Sequence, residues 1–292
     1  MKPLVPVCLA LLAACAPPTL GAEVYYASNH TADPSVVETV YLWDEGAMPA
    51  TTDYTVNWGG WSDGPDFRPY VTVLPLPEGV EAKGAVMVCP GGAFIWRSDE
   101  EGLPVAQELA RLGYVPFIVS YRVRPYTMDE SALDLARAVR YARASAEVYG
   151  YTPDAIAAVG FSAGGILAGH EALHYDGNVT ADIIDADYRS DSLDEVSADL
   201  AAIGMIYSFY GRLSVASYDT GSFIEGRIPP TYFRYGTRDP FASQFPRCAQ
   251  AVREAGVPVV ERVMEGWPHG FGAEGGWIAD FCAFLDEYML ED

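Results

Sequence analysis

From Lys83 to the C-terminus, short apolar runs alternate with stretches of helical periodicity, and this alternation limits what the chain can fold into more than any single residue does. The runs at 85–89, 115–121, 155–161, 201–209, 231–235 and 259–264 have the length and apolar continuity of strands buried on both faces. Parallel strands cannot be joined by a tight hairpin; each pair needs a crossover of a dozen residues or more, usually a helix. The intervening stretches supply such crossovers. In one, Ala132, Leu135, Val139, Ala142 and Ala146 recur at helical spacing with Arg137, Arg140 and Arg143 off that stripe, an amphipathic helix laid on a sheet. Ile278, Phe281, Cys282, Leu285 and Met289 repeat the pattern near the C-terminus. The expected class is α/β, a mostly parallel sheet with helices on both faces.

Outside this block the chain reads differently. "MKPLVPVCLALLAACAPP" opens with one Lys and an apolar run from Leu4 to Ala14, too short to span a bilayer and matching the hydrophobic part of a secretory leader. Residues 1–22 are therefore expected to be a signal peptide, which places the mature chain outside the cytoplasm. Leu12-Ala13-Ala14-Cys15 resembles the lipobox of bacterial lipoproteins, whose Cys15 would carry the lipid and tie the protein to the cell envelope. A plain secretory leader cut after Ala22 is the alternative. Residues 23–82, with Trp43, Trp58 and Trp61 among Gly, Pro and Asp, read as an N-terminal arm adding a strand or two to the sheet edge, and 83–292 as one α/β domain.

The stretch 175–200 is rich in Asp and poorly periodic, as a surface insertion would be; nothing indicates more than a small lid. Forty Asp and Glu against 18 Lys and Arg give a net charge of −22, which repels nucleic-acid phosphates and anionic lipid heads. Past the leader, Cys89, Cys248 and Cys282 have no metal-like spacing. Buried free thiols are the default, and an oxidising compartment would also permit a Cys248–Cys282 disulfide.

Two catalytic signatures stand within 20 residues of each other. Gly160-Phe161-Ser162-Ala163-Gly164 fits a serine nucleophile on a sharp turn between strand and helix. A match of this kind arises by chance about 0.1 times in a chain of this size, so its setting has to decide. It follows the apolar run 155–161 and opens a helix-forming stretch, as the turn demands. Gly160 and Gly164 would let neighbouring backbone come close, and the Ala163 amide would point from the helix N-terminus towards a developing oxyanion. Downstream come Asp239 in "TYFRYGTRDP" and His269 in "EGWPHGFG", each just after a strand and in the chain order this arrangement requires. His269 would take the Ser162 proton and Asp239 would orient the imidazole. Cys89-Pro90-Gly91-Gly92-Ala93-Phe94 follows the strand 85–89, where the amides of Gly92 and Ala93 are candidates for a second oxyanion contact.

In the order "CPGGAF", "YRVRP", "ALDLARAVRYAR", "GFSAGG", "GTRDP" and "PHGFG", these segments resemble the α/β-hydrolase esterases, most of all those similar to acetyl xylan and feruloyl esterases. The resemblance runs from about Leu42 to the C-terminus. It implies an α/β-hydrolase fold, no cofactor, and a serine ester hydrolase that removes small acyl groups from plant-type carbohydrate, with a feruloyl esterase or serine peptidase of the same fold as alternatives. "GFSAGG" and "HGF" also resemble hormone-sensitive-lipase-type carboxylesterases. Those carry His-Gly-Gly-Gly at the oxyanion loop, where this chain has Pro90 and Ala93. A glycan-binding pseudoenzyme built on the Trp-rich arm is the reading from another class, and the complete Ser-Asp-His set argues against it.

The second signature, His170-Glu171-Ala172-Leu173-His174, has the spacing of a helical zinc site with Glu171 as base and Asp191 or Glu195 as candidate third ligand. The same helix starts at the Ser162 turn, and at 1.5 Å per residue His170 falls roughly 12 Å along its axis from Ser162. The alternative is that both histidines sit at the helix end, where a cation complements the dipole. No metal is therefore expected. Trp96 and Trp267, beside the oxyanion loop and His269, could stack on a sugar or aromatic acyl group or simply pack. Arg122, leaving a strand, would reach substrate or, more usually for that position, an acidic neighbour.

Overall fold

A computed structural model describes residues 25–52 and 62–290; the leader with Cys15 and the pair Trp58 and Trp61 lie outside the described residues. Nine strands form one sheet. In chain order they are β1 (Tyr25–Tyr26), β2 (Glu38–Tyr41), β3 (Tyr70–Val73), β4 (Gly84–Cys89), β5 (Tyr114–Ser120), β6 (Ile156–Phe161), β7 (Ala202–Ile206), β10 (Thr231–Gly236) and β11 (Val259–Met264). Their spatial order is β1-β2-β3-β5-β4-β6-β7-β10-β11, and β8 (Gly211–Arg212) and β9 (Val215–Ala216) make a separate small hairpin. From β5 to β11 every pairing is parallel, and β4, β6 and β7 are buried along their whole length. The arm contributes three edge strands, of which β3 runs antiparallel to both β2 and β5.

Parallel pairing forces crossovers, and their right-handedness assigns the helices to faces. The sheet grows in one direction from β4 to β5 and in the other from β4 through β6 and β7 to β11. Consequently α1 (Asp99–Arg111) covers one face, while α2 (Met128–Ala144), α4 (Ala163–His174) and α6 (Phe245–Glu254) cover the other. The one-turn α3 (Ala146–Tyr149) extends α2, α5 (Thr220–Glu225) sits between β7 and β10, and α7 (Trp277–Met289) returns to pack against α1. The 207–230 connection above the sheet holds only the β8–β9 hairpin and α5.

The structure corrects the reading of α2. Its stripe of small apolar residues does face the sheet, but off that stripe Arg137 and Arg140 are buried too and Arg143 is partly covered, because 175–200 is laid across them. Arg137 pairs with Asp191 and donates to the Leu42 carbonyl at 3.0 Å. Arg140 donates to the carbonyls of Val196 at 2.8 Å and Val179 at 2.6 Å, and Arg143 to those of Ser197 and Asp199. The Asp-rich segment is thus a strap held by guanidinium groups, each carrying several donors in a fixed fork. Arg122 is likewise structural. It is fully buried, donates to both carboxylate oxygens of Asp134 at 2.8 Å, and Asp134 also accepts the Trp43 indole N–H at 2.8 Å, which ties the arm to α2. Cys89, Cys248 and Cys282 are free and buried, so Cys248 and Cys282 form no disulfide. The 201–209 run ends as a strand at Ile206, because Tyr207 turns into positive φ at 39°.

Candidate active site

Ser162 lies between the last residue of β6 and the first of α4, with φ 50° and ψ −116°. That conformation is strained for a residue with a Cβ, and the glycines around it make it feasible. A Cβ on Gly160 would strike the backbone of Gly164 and Gly165, one on Gly164 would strike the Cys89 carbonyl, and one on Gly165 would strike the Ser208 hydroxyl. The turn is clamped from below: the Ser162 amide donates to the Ile206 carbonyl at 3.0 Å, and Ser208 Oγ donates to the Ser162 carbonyl at 2.6 Å. The serine side chain is left half-exposed above the sheet's C-terminal edge.

Asp239 and His269 arrive from the two neighbouring strands β10 and β11, whose ends are level, Gly236 pairing with Met264. Their loops are laced together. Thr237 N–H donates to the Met264 carbonyl at 3.1 Å, Arg238 N–H to the Trp267 carbonyl at 2.9 Å, and Gly266 N–H to Thr237 Oγ1 at 2.8 Å. His269 Nε2 stands 2.9 Å from Ser162 Oγ, and His269 Nδ1 stands 2.6 Å from Asp239 Oδ2. The Asp239 carboxylate is buried and its other oxygen accepts the Phe241 N–H at 2.8 Å. With Nδ1–H donating to a fixed carboxylate, Nε2 is the basic nitrogen and the serine O–H donates to it. Such a relay moves a proton off a hydroxyl and then delivers it to a leaving group.

The loop after β4 borders the serine. A Cβ on Gly91 would lie 2.5 Å from the Phe161 carbonyl and 3.1 Å from Ser162 Cβ. Gly92 follows at φ 134°, then Ala93 and Phe94 both at φ 54°, and the turn closes with Ile95 N–H donating to the Gly92 carbonyl at 2.8 Å. Ala163, the first residue of α4, is fully buried. Trp96 is 41% exposed and lines a cavity of about 280 Å³ with Tyr70, Pro90 and Arg97, which does not include Ser162 or His269. Trp267 is half-buried edge-on against Phe271, its ring close to Gly275.

The histidine motif of α4 is arranged otherwise. His170 and His174 meet edge to face with ring centroids 4.7 Å apart, and His170 Nε2 lies 2.8 Å from Asp129 Oδ1. Glu171 points the opposite way into the core, fully buried, with neither oxygen in a hydrogen bond among the described residues. Burial raises its carboxyl well above the ordinary carboxylate range. Of the expected third ligands, Asp191 is taken by Arg137 and caps the turn Ser192–Glu195, while Glu195 is exposed. Among the described residues no three His, Cys, Asp or Glu side chains are grouped to hold a metal.

Sequence reasoning passed over three residues that touch this site. Phe241 stands edge-on to His269 with centroids 5.9 Å apart, and Tyr207 tilts against its ring at 4.8 Å. Glu101, in the first turn of α1, accepts from both the Gly91 N–H and the Tyr207 O–H. Glu101 is one of three successive acids, and no pattern in the sequence separates it from Asp99 and Glu100. Tyr207 falls within the 201–209 run that the sequence predicts as strand.

Comparison with known proteins agrees with this geometry. Residues 74–223, just over half of the chain, match the BD-FAE family model. The acetylxylan esterase of Xylanibacter ruminicola is 25% identical over 210 residues, 70% of this chain and 44% of that protein. Endo-1,4-beta-xylanase B of Butyrivibrio fibrisolvens is 31% identical over 99 residues, 32% of this chain and 15% of that protein. The chain thus spans less than half the length of these curated relatives. Among solved structures, the acetyl ester-xyloside bifunctional hydrolase of Caldicellulosiruptor lactoaceticus superposes with a TM-score of 0.66 at 21% identity, covering 86% of this chain and 95% of that one. Thermogutta terrifontis esterase 2, phosphonylated by cyclosarin, gives 0.61 at 20% identity over 82% and 99%. The fold is that of the α/β-hydrolases, and the chain belongs to the BD-FAE family.

Proposed function

We propose that this chain is a serine carboxylic-ester hydrolase that removes small acyl groups, acetyl foremost, from carbohydrate. The observation that carries the reading is the continuous relay from Ser162 Oγ through His269 to a buried Asp239, with spacings of 2.9 and 2.6 Å. Ser162 attacks the ester carbonyl, His269 takes its proton and returns it to the departing alcohol, and water then releases the acyl-serine by the same route. Asp239 holds the imidazole tautomer, while the amides of Gly92, Ala93 and Ala163 are assigned to the oxyanion. The likeness to an acetylxylan esterase and to an acetyl ester-xyloside hydrolase supports acetylated xylan-type substrates.

A small acyl group also fits the architecture, since the 207–230 connection holds a two-strand hairpin and one short helix rather than a large cap. Each buried methylene contributes ~0.8 kcal/mol, so a deep acyl site gains rate with chain length and a shallow one does not. The test is kcat/KM for acetyl, octanoyl and feruloyl esters of one alcohol, followed by acetylated xylo-oligosaccharides. Acetate is expected to lead. An octanoyl optimum overturns the small-acyl reading, and a feruloyl optimum lost in Trp96→Ala replaces it with aromatic stacking on that exposed ring.

We further propose that the protein works outside the cytoplasm of a bacterium, anchored through lipid on Cys15. In a bacterial host Cys15→Ser is expected to move it from the membrane to the soluble fraction. Wild-type protein found only in the medium would point to a plain secretory leader instead.

A further inference from the structure

The site contains a second buried carboxylate. Glu101 is buried, and its two oxygens accept from two different segments: Oε2 from the Gly91 N–H and Oε1 from the Tyr207 O–H, both at 2.6 Å. Tyr207 in turn accepts the Gly272 N–H at 3.2 Å, three residues beyond His269, and its ring lies tilted against the imidazole at 4.8 Å and packs edge-on against Phe271 at 4.6 Å. The direction of these bonds is fixed. A backbone amide can only donate, and the single hydroxyl proton of Tyr207 is committed to Glu101, so both chains of donors end on the same carboxylate.

We propose that Glu101 and Tyr207 are a pair of positioning residues that hold the Gly91–Ala93 loop and the His269 loop in register with Ser162. The proposal rests on the ester-hydrolase reading above. Its physical reason is that the two loops leave strands on opposite sides of β6 and make no common ladder. Hydrolysis nonetheless needs the oxyanion amides and the imidazole placed to within a fraction of an ångström of one reacting carbon. A carboxylate is suited to this because it offers acceptors only, whereas an amide or a protonated acid would turn a donor towards Gly91 or Tyr207. Stability alone gives no reason to keep a charge there: burial raises the Glu101 carboxyl above its ordinary range, against the pull of the Tyr207 and Gly91 hydrogen bonds.

The experiment compares the full chain with Glu101→Gln, Tyr207→Phe and the double variant by steady-state turnover of p-nitrophenyl acetate, thermal melting, and hydrogen exchange of peptides spanning 90–97 and 266–275. Each single variant is expected to lose about 10- to 100-fold in kcat with KM within about twofold. The double variant should be little worse than the poorer single, since one unit is being removed twice. Both peptides should exchange faster in either single variant while melting stays within a few degrees of wild type. Normal kcat in Glu101→Gln overturns the proposal. So does a loss of kcat matched by a large fall in melting temperature and exchange throughout the sheet, which marks Glu101 as ordinary core. If the wild type neither turns over esters nor is labelled at Ser162 by an organophosphonate, the ester-hydrolase reading fails. The exchange data still decide on the strut in that case, because loosening at only one of the two loops, or at neither, overturns it.

Discussion

The two ends of α4 carry two motifs of catalytic type, and only one of them is completed by the rest of the molecule. At its N-terminus, Ser162 meets a histidine 107 residues away and, through it, an aspartate in the loop after the adjacent strand. At its C-terminus, His170 and His174 meet each other and Asp129, while the Glu171 between them is turned into the core with no partner among the described residues. The spacing is as good in the second motif as in the first. What differs is position in the topology. The C-terminal ends of parallel strands gather loops from β4, β6, β7, β10 and β11 above the first turn of α4. Two turns further on, His170 and His174 face α2, the β8–β9 hairpin and α5, away from those strand ends. Local sequence can supply half of a site, and convergence of strand ends supplies the other half.

The strongest way to break this comparison is to remove the serine. Ser162→Ala and His269→Ala are each expected to lower kcat by ~10⁶-fold, since nucleophile and base act as a unit. Turnover of p-nitrophenyl acetate by folded Ser162→Ala at more than a few per cent of wild type would assign the chemistry elsewhere. Asp239→Asn should cost on the order of 10⁴-fold, because it leaves the geometry in place but turns the imidazole to the wrong tautomer. A nearly normal rate would mean that another acid faces His269.

Legibility followed the same division. The central strands, the glycines of the elbow, Ser162, Asp239 and His269 could all be read because each sits where one steric or chemical demand dominates: continuous burial, a close backbone approach, or position just past a strand. Arg137, Arg140 and Arg143 misled because helical periodicity reports a helix's contact with its sheet and says nothing of a segment laid over the other side. Glu101 and Tyr207 stayed hidden for a related reason. Their roles depend on hydrogen bonds that join α1, the β4 loop, the β7 end and the His269 loop, separations of up to 106 residues that leave no local pattern.

Glu171 sharpens the comparison through stability. A carboxyl whose native pKa is raised above its ordinary 4.5 binds its proton more tightly when folded. The stability it contributes is therefore fully present below that value and is lost as pH rises towards the native one. Glu171→Met removes the buried polar group at similar length. It is expected to raise stability at pH 7 by on the order of 1 kcal/mol and to flatten the loss between acid and neutral pH, as measured by urea unfolding at several pH values. A clear loss of stability at pH 7 would mean that the carboxylate has a ligand or partner, as a working metal motif requires.

The smallest expected effect is the one that most directly separates the two motifs. If the histidine pair plays no part in hydrolysis, exhaustive dialysis against EDTA should leave kcat within about twofold of wild type, and His174→Ala and Glu171→Gln should do the same. The structural ground is that His170 is already engaged by Asp129 and that Asp191, the ligand expected to complete the set, is held by Arg137. Recruiting Asp191 would take from the buried Arg137 guanidinium its nearer carboxylate and leave it Asp194 at 3.5 Å, a cost of up to about 3–5 kcal/mol for breaking such a pair. The contrary result has a distinct form: activity lost on chelation, restored by Zn²⁺, and absent in Glu171→Gln. That pattern would move the reaction to the far end of α4 and leave the Ser162 elbow as the motif without a function.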